Sequence, residues 1–511
     1  MFPTTSGGSS FTVALSDEQA THKLVVDIAA ALLPGDLIAL SGDLGAGKTT
    51  FARALIRHLA GDAATEVPSP SFTLMQFYEL PRFAVAHADL FRLSGPTELA
   101  ELGFDDIPEN ALVLVEWPDR AAGYLPADRL DVTLTLAPQQ SSTFRNARIT
   151  GYGSFAPRAE RIHHIRRFLA TAGFASAERR ALPGDASARS YERLTLGGRN
   201  FLLMNSPRRP DGPPVRDGKP YSVIAHLAED VTPFIAMARA LNVRGLSAPA
   251  ILHGDRAAGL LIIEDLGNEL VVAGDPPAPI EERYQAAVGA LVALHRAPVP
   301  ASVPVEPDLD YTLPRYDIEA LLIEAELLID WYLPKLGRPV SQDKRDSYRA
   351  LWRDALSPAL GGPVTWVLRD YHSPNLLWLP AREGVAKVGL LDFQDAVMGH
   401  PAYDLASLLQ DARVDVPEIM EIAMLSHYTR ARREIDPAFD APAFARVYAT
   451  LAAQRASKIL GIFARLEMRD GKPQYLRHLP RVWAYLQRSL AHPALATLRA
   501  WYNLHVADIK T

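Results

Sequence analysis

Short apolar runs separated by turn-forming residues recur through the first part of the chain and predict the strands of an α/β sheet. Continuous apolar runs at Leu37–Leu40, Ala84–Ala86 and Ala111–Val115 are typical of strands that are buried on both faces. Residues Asp131–Leu136 instead alternate between polar and apolar side chains, which predicts a half-buried strand at the sheet edge. The pattern therefore indicates a compact α/β domain at the start of the chain.

Helical patterns lie between these runs. Ser16 and Gln19 have the spacing of a capping box and predict a helix that continues to about Leu33. A second helix is indicated by apolar residues at helical spacing, namely Phe51, Leu55, Ile56 and Leu59.

Later in the chain the pattern changes. Gly, Ser and Pro cluster at Gly151–Arg158 before a basic helical stretch, which predicts a domain boundary there. The Pro-rich segment Gly274–Ile280 predicts a separation between two lobes, and from Glu281 onward the pattern is mostly helical. Since 511 residues exceed the usual size of a single core, we predict two domains. They are an α/β domain at 1–157 and an α+β domain at 158–511, with lobes of about 158–270 and 271–511.

Composition limits the class of protein. Hydrophobic residues make up 48% and charged residues 22% of the chain, as in ordinary globular proteins. The sequence has no cysteine, which excludes disulfides and thiolate metal sites and fits a reducing cytoplasm. We expect neither a signal peptide at Met1–Ser10 nor a membrane span, and we predict a cytoplasmic location.

Charge is distributed unevenly between the two predicted domains. Residues 1–157 contain 10 Lys and Arg against 18 Asp and Glu, a net charge of −8. Residues 158–511 contain 43 and 41, a net charge of +2. Because an acidic domain is a poor binder of nucleic acid, we expect the first domain to act through protein partners if it serves an RNA pathway.

The segment Gly42–Thr49 has the pattern G-x-x-x-x-G-K-T between a predicted strand and a predicted helix, which is the context of a P-loop. The glycines allow backbone N–H groups to face phosphate oxygens, Lys48 would reach the β- and γ-phosphates, and the Thr49 hydroxyl would bind Mg²⁺. A glycine-rich turn without nucleotide is the alternative. The candidate ATP-binding residues are Gly42, Gly45, Ala46, Gly47, Lys48, Thr49 and Thr50.

Three further segments accompany the P-loop in order: Val67–Leu74, His87–Leu93 and Val115–Arg120. Together the four motifs resemble the TsaE family, small bacterial P-loop ATPases required for threonylcarbamoyl-adenosine modification of tRNA, over residues 12 to about 157. The resemblance implies a P-loop NTPase fold. It also implies an ATPase that supports the complex modifying adenosine 37 and does not itself perform the transfer.

The same resemblance implies roles for individual residues. Asp89 would follow a strand and support Mg²⁺, the segment around Ser71 and Thr73 would sense the nucleotide, and Glu116 and Trp117 would lie near the phosphates. Other interpretations stay open, because Asp89 could cap a turn, Glu116 could form an ordinary salt bridge and Trp117 could belong to the core.

A second phosphate-handling pattern lies in the later domain. Asp370 and Asn375 are five residues apart, the spacing of a kinase catalytic loop, and Asp392 follows an apolar run. Phosphotransfer from Mg-ATP needs one carboxylate to accept the proton of the substrate hydroxyl. It also needs an amide oxygen and a second carboxylate to hold Mg²⁺. We assign these roles to Asp370, Asn375 and Asp392 in that order. We expect His372 to support the loop, and Asp404 to cap a helix and brace the loop.

This pattern resembles the aminoglycoside-phosphotransferase-like kinases, which have a two-lobed protein-kinase-like α+β fold. Four more segments resemble AmgK, the anomeric amino-sugar kinase of peptidoglycan recycling: Pro183–Tyr191, Ile263–Gly267, Asp330–Leu333 and Lys458–Phe463. That family phosphorylates the C1 hydroxyl of N-acetylmuramate and N-acetylglucosamine with ATP. The alternatives are another small alcohol, such as an aminoglycoside or choline, or a half that binds nucleotide and regulates without turnover.

Two departures from the general kinase pattern affect ATP binding. Met204 occupies the place where a kinase strand offers an ATP-binding Lys, and Leu368 replaces the usual His of the catalytic loop. Arg189 or Arg193 could substitute as the phosphate anchor or could merely brace the lobes. The loop Gly184–Tyr191, which includes Ser187, is expected to cover the nucleotide.

The sugar pocket is predicted from two helical stretches. Glu326, Asp330 and Trp331 lie on one of them, and the resemblance to AmgK assigns Asp330 to the substrate, although such a stripe is usually packing. Arg455 and Lys458 lie on the other and could meet the acidic lactyl group of N-acetylmuramate. A solvated helix face is the alternative for this pair.

Overall fold

The computed structural model describes residues 8–93, 98–101, 103–121, 123–183 and 189–506. Within them the chain forms two compact units. The first comprises residues up to 181 together with 194–197, and the second comprises 182–193 and 198 onward.

The predicted boundary between residues 157 and 158 falls inside a helix, Phe155–Thr171. The residues Phe155, Ala159 and Ile162 of this helix belong to the core of the first unit. The compact first unit therefore extends beyond the predicted boundary, and the assignment of functions to 1–157 and 158–511 stays a prediction.

The chain up to residue 181 contains eight strands and four helices within the described residues. The strands are β1 (Ser9–Leu15), β2 (Leu37–Ser41), β3 (Met75–Tyr78), β4 (Val85–Asp89), β5 (Leu112–Glu116), β6 (Leu130–Leu136), β7 (Arg145–Gly151) and β8 (Glu178–Ala181). The helices are α1 (Glu18–Ala31), α2 (Lys48–Ala60), α3 (Glu98–Glu101) and α4 (Phe155–Thr171).

Seven of these strands form one sheet in the order β1-β7-β6-β2-β5-β4-β3. The four central strands, β6, β2, β5 and β4, are parallel, and antiparallel strands extend the sheet on both sides. The predicted α/β fold is confirmed. The edge position predicted for Asp131–Leu136 is wrong, because β7 and β1 continue the sheet beyond β6.

Both faces of the sheet are covered. In β2, Ile38 and Leu40 belong to one buried cluster, whereas Leu37 and Ala39 belong to another. Successive strand residues point to opposite faces, so a continuous apolar run is what a doubly covered strand requires.

Helix α1 begins one residue later than its predicted cap implies. The N-cap is Asp17, whose carboxylate accepts the backbone N–H of Ala20 at 2.7 Å. The predicted capping box of Ser16 with Gln19 is therefore wrong. Ser16 instead donates its hydroxyl to Asp17 at 3.0 Å.

The chain after residue 182 contains many short strands and longer helices. The strands are β9 (Ser190–Leu196), β10 (Arg199–Asn205), β11 (Pro214–Arg216), β12 (Lys219–Pro220), β13 (Ile251–Asp255), β14 (Leu260–Glu264), β15 (Val272–Ala273), β16 (Ala278–Pro279), β17 (Ser302–Glu306), β18 (Leu309–Thr312), β19 (Thr365–Val367), β20 (Leu376–Trp378), β21 (Val388–Leu390) and β22 (Val397–Gly399). The helices are α5 (Tyr221–Ile224), α6 (Thr232–Val243), α7 (Glu281–Leu294), α8 (Ile318–Ala325), α9 (Leu333–Lys335), α10 (Gln342–Leu360), α11 (Ala402–Leu409), α12 (Glu418–Ile435), α13 (Ala441–Met468), α14 (Leu479–Leu490) and α15 (Ala496–His505), with a π-helix at Leu328–Tyr332.

The early strands of this part lie in the order β13-β14-β10-β9, and helices dominate from Glu281 onward. Met204 on β10 and Leu261 on β14 are paired in register and belong to one large buried cluster that also includes helices of the later part. This arrangement is the predicted two-part α+β fold. No helix among the described residues is long and apolar enough to cross a membrane.

Helix α13 approaches the turn after α8 very closely. A Cβ atom on Gly461 would lie 2.2 Å from the backbone carbon of Leu327, so only glycine allows this contact. The 28 residues of α13 carry the predicted substrate residues Arg455 and Lys458, and this contact positions them against the end of α8.

Candidate active sites

The P-loop of the first unit connects β2 to α2. Gly42, Gly45 and Gly47 all have positive φ angles, of 138°, 77° and 105°. A Cβ on Gly42 would also lie 2.3 Å from the carbonyl oxygen of Leu134, so a side chain cannot be accommodated there. Of the other predicted ATP-binding residues, Ala46 is buried in the core and Thr50 is half-buried on α2.

Lys48 begins α2 and is held against the P-loop. Its Nζ donates to the carbonyl oxygens of Gly42 at 2.7 Å and Asp43 at 3.0 Å. The same nitrogen lies 3.6 Å from the centre of the Trp117 ring, a cation–π contact. Burial lowers the pKa of Lys48, and the carboxylate of Glu116 opposes that shift. Trp117 is thus in direct contact with the P-loop lysine, as well as partly buried against the core.

Glu116 lies at the end of β5 and is 1% exposed. Its carboxylate accepts the Thr49 hydroxyl at 2.9 Å and contacts His87 Nε2 at 3.0 Å. Both partners come from elements next to β5 in space, so Glu116 joins the P-loop to β4. An ordinary salt bridge was the alternative considered from the sequence, and the structure shows that Glu116 contacts both the His87 ring and the Thr49 hydroxyl.

Asp89 ends β4, as expected, and its carboxylate accepts three donors. They are the hydroxyls of Ser71 at 2.7 Å and Ser69 at 3.2 Å and the backbone N–H of Phe91 at 3.1 Å. The segment containing Ser71 is therefore tied to the carboxylate predicted to support Mg²⁺. Its backbone bond to Phe91 also makes Asp89 a turn cap, which was the alternative.

The donors of this first site suit ATP and Mg²⁺. The Thr49 hydroxyl and the carboxylates of Asp89 and Glu116 are hard oxygen ligands. The adjacent loop presents its backbone, because a side chain cannot be accommodated at Gly42. In the part of the chain that the structure describes, no group of three acidic or histidine side chains is placed so that it could hold a metal ion by itself. Mg²⁺ at nucleotide sites typically uses one or two carboxylates plus phosphates, which agrees with this arrangement.

In the second unit the predicted catalytic loop follows β19. Arg369 has a φ angle of 68°, and the backbone N–H groups of Leu368 and Arg369 donate to the carboxylate of Asp404 at 2.7 and 2.9 Å. Burial raises the pKa of Asp404 to about 7, although these two donors oppose the shift. Asp404 therefore braces the loop, and it lies in the first turn of α11 without being its N-cap.

Asp370 and Asn375 are joined by the loop itself. The Asn375 side-chain N–H₂ donates to the Asp370 carbonyl at 3.0 Å, and the Asn375 carbonyl accepts the backbone N–H of Leu391 at 2.9 Å. The loop is also held by the buried Asp411, which accepts the N–H of Ser373 at 2.9 Å. Because its N–H₂ group is engaged, the side-chain oxygen of Asn375 is the atom suited to a metal.

Asp392 follows β21 in a left-handed conformation, with a φ angle of 56°. Its Oδ1 lies 3.1 Å from a guanidinium nitrogen of Arg189 and accepts from Gln394 at 2.9 Å. Burial and the nearby Asp370 raise the pKa of Asp392. Two carboxylates that influence each other in this way, beside an amide oxygen, form a donor set that fits Mg²⁺.

His372 is nine-tenths buried and supports the loop. Burial lowers its pKa to about 4, so the imidazole is neutral at pH 7. Its Nε2 lies 3.9 Å from Asp370 and 3.2 Å from a guanidinium nitrogen of Arg413. This environment agrees with the supporting role predicted for His372.

A buried carboxylate that was not predicted from the sequence pairs with several residues around the catalytic loop. Glu324 of α8 is fully buried and accepts from Arg369, from Lys458 at 2.8 Å and from Tyr316 at 2.5 Å. Gln454 of α13 donates at 3.2 Å. Burial would raise the pKa of Glu324, but Lys458 and Arg369 lower it to about 2. An acidic residue inside the apolar sequence of α8 was the available signal.

The predicted substrate residues lie in different surroundings. Lys458 pairs with Glu324, and Arg455 is 6% exposed and donates to the Gln410 carbonyl at 3.4 Å. The alternative of a solvated helix face is therefore wrong for this pair. Asp330 lies on the π-helix and pairs with Arg345 at 2.6 Å.

The residues considered for ATP binding in the second unit lie in different surroundings. Met204 is 1% exposed and belongs to the core. Arg193 pairs with Asp265 at 2.7 Å, which is the bracing role considered for it. Arg189 contacts Asp392 and Gln394, whereas Ser187 lies outside the described residues.

Comparison with known proteins also divides the chain into an earlier and a later part. Residues 15–145 match the family model "Threonylcarbamoyl adenosine biosynthesis protein TsaE", and residues 178–438 match the model "Phosphotransferase enzyme family". The tRNA threonylcarbamoyladenosine biosynthesis protein TsaE of Rickettsia felis is 41% identical over 120 residues, 24% of this chain and 70% of that protein.

Two relatives match the later part. The N-acetylmuramate/N-acetylglucosamine kinase of Caulobacter vibrioides is 41% identical over 354 residues, 66% of this chain and 95% of that protein. The protein of the same name from Pseudomonas aeruginosa is 33% identical over 320 residues, 61% of this chain and 84% of that protein.

Substitution of Glu324 tests the buried network. We expect Glu324→Gln to lower the free energy of unfolding of the second unit by about 3–5 kcal/mol, because Arg369 and Lys458 would stay buried without their counter-charge. Denaturant unfolding followed by tryptophan fluorescence measures this, since six of the seven tryptophans lie after residue 182.

The matched control is Glu319→Gln on the same helix. Glu319 is 47% exposed and pairs with Arg353 at 2.6 Å, so its loss should cost at most about 1 kcal/mol. Equal losses in the two variants would contradict the special role of Glu324.

Proposed function

The chain belongs to the TsaE family through its first part and to the phosphotransferase enzyme family and the N-acetylmuramate/N-acetylglucosamine kinases through its second, and from this premise we propose a bifunctional enzyme. The first unit is an ATPase that supports threonylcarbamoyl modification of adenosine 37 in tRNA. The second is an ATP-dependent kinase for the C1 hydroxyl of N-acetylmuramate and N-acetylglucosamine. The absence of cysteine accords with a cytoplasmic location for both.

The convergence of Asp370, Asn375 and Asp392 is the observation that carries the kinase proposal. Asp370 orients the C1 hydroxyl and accepts its proton as the oxygen attacks the phosphoryl group. Asn375 and Asp392 would hold Mg²⁺, and Mg-ATP supplies the phosphoryl group and the charge neutralisation when bound. The loop contacts of Asn375 keep these groups in a fixed relation before substrate arrives.

The charges around Asp370 favour this role. Burial would raise its pKa, but the positive charges of Lys458 and Arg369 lower it overall. Asp370 is therefore an anion at neutral pH and can take a hydrogen bond from the substrate hydroxyl. Its side chain is 39% exposed, which leaves it accessible to a sugar.

The ATPase proposal rests on Lys48, Thr49 and the two carboxylates at the ends of β4 and β5. Lys48 would reach the phosphates, Thr49 and Asp89 would hold Mg²⁺, and Glu116 would orient Thr49. The Ser71 hydroxyl donates a hydrogen bond to Asp89, so a change in the bound nucleotide would directly affect the segment around Ser71. The net charge of −8 favours protein partners over direct tRNA contact.

One observation favours a second candidate for the later unit. Arg189 is paired with Asp392, and Met204 is buried where a kinase lysine is expected. A unit that binds nucleotide and regulates without turnover would have these features. A kinase for another small alcohol is the third candidate, and turnover of amino sugars separates it from the proposal.

Replacing Asp370 by Ala or Asn tests the kinase. We expect phosphorylation of N-acetylmuramate and N-acetylglucosamine to fall by about 10²–10⁴-fold, because the proton acceptor is removed. Activity is measured by coupled ATP consumption, with the product position read by phosphorus NMR. The exposed Asp354→Ala serves as the control. Undiminished turnover in both Asp370 variants, or a product other than the 1-phosphate, would refute the assignment.

Replacing Lys48 by Ala tests the ATPase. Threonylcarbamoyladenosine formation with the partner proteins should be lost, since the phosphates lose their lysine, whereas sugar phosphorylation should persist. Modified tRNA is quantified by mass spectrometry, and Asp370→Ala provides the reciprocal control. Loss of both activities in one variant would mean that the halves are not independent.

A further inference from the structure

Helix α13 carries three basic residues that could meet an acidic substrate, and two of them are already engaged. Lys458 donates to Glu324 at 2.8 Å, and Arg455 is 6% exposed and contacts the Gln410 carbonyl. The third is Arg465, seven residues after Lys458. Seven residues are about two turns of helix, so Lys458 and Arg465 share a face.

Arg465 has no hydrogen-bond or ion-pair partner for its guanidinium within the described residues. Its Nε is buried without an acceptor, and its Cζ lies 5.4 Å from the centre of the Tyr221 ring. Burial lowers its pKa and the neighbouring Arg469 adds to this shift, whereas Tyr221 and Asp470 oppose it. The side chain is thus a partly desolvated cation that packs on an aromatic face.

Asp470 acts on this cation electrostatically but makes no hydrogen bond or ion pair with it. Asp470 is bonded through both carboxylate oxygens to Arg469, at 2.7 and 3.0 Å. A buried charge without a counter-charge is costly, and a guanidinium in that condition favours a planar anion with two oxygens. A carboxylate is such an anion.

The position of Arg465 relates it to the predicted site of chemistry. Tyr221 begins α5, and the carbonyl oxygen of Ala225 directly after this helix accepts the guanidinium of Arg369, the residue before Asp370, at 2.9 Å. Arg465 is therefore linked through α5 to the loop that carries the proton acceptor. The close contact at Gly461 holds the intervening stretch of α13 in place.

We propose that Arg465 binds the lactyl carboxylate of N-acetylmuramate and sets the preference for this sugar over N-acetylglucosamine, which has no carboxylate. The inference rests on the proposed kinase function and goes beyond it by naming the residue that distinguishes the two substrates. It replaces the sequence-based expectation that Arg455 and Lys458 meet this group.

Arg465→Gln tests the inference with both sugars as substrates of the full chain. We expect kcat/KM for N-acetylmuramate to fall by about 10- to 100-fold, mainly through KM, because one charge-assisted contact is lost. N-acetylglucosamine has no group for Arg465, so the selectivity ratio should fall by the same factor. Arg465→Lys, which keeps the charge but not the fork, should retain part of the preference.

Arg446→Gln is the matched control, since this arginine lies on the same helix and is exposed. It should leave the selectivity ratio unchanged. An unchanged ratio in Arg465→Gln, or an equal loss for both sugars, would overturn the inference while leaving the kinase assignment intact. If the wild-type chain phosphorylates neither sugar, the proposed function and this inference both fail.

Discussion

A carboxylate buried away from water must be met by donors, and this constraint shapes both candidate sites. In the second unit, Glu324 is met by Arg369, Lys458, Tyr316 and Gln454, which come from three separate segments of the chain. In the first unit, Glu116 is met in the same way by Thr49 and His87. The donors cannot move away without leaving a charge unpaired, so the chemistry-bearing segments attached to them are fixed.

The consequence for the second unit is a rigid catalytic loop. Arg369 adopts an uncommon backbone conformation, and its side chain enters the core to reach Glu324 while its N–H reaches Asp404. Asp370, the next residue, is thereby left partly exposed and close to positive charges that keep it ionised. A strained backbone conformation persists where surrounding contacts hold it in place, and here these are the contacts of Arg369 with Glu324 and Asp404.

Much of this could be predicted from the sequence because it depends on local patterns. The P-loop, the strand before it and the spacing of Asp370 and Asn375 are contiguous signals, and the structure has the corresponding elements. The partners of Glu324 could not be predicted, because Arg369 and Lys458 are 45 and 134 residues away. Likewise, Asp131–Leu136 alternates as an edge strand would, although it pairs with β7 on one side and with β2, from distant sequence, on the other.

The central claim is that one chain carries two independent Mg-ATP sites. Calorimetric titration of the full chain with a non-hydrolysable ATP analogue and Mg²⁺ tests it most directly. We predict two sites on the wild-type chain, one remaining site in Lys48→Ala and one remaining site in Asp392→Ala. A single site on the wild-type chain, or the loss of both sites through either substitution, would contradict the claim.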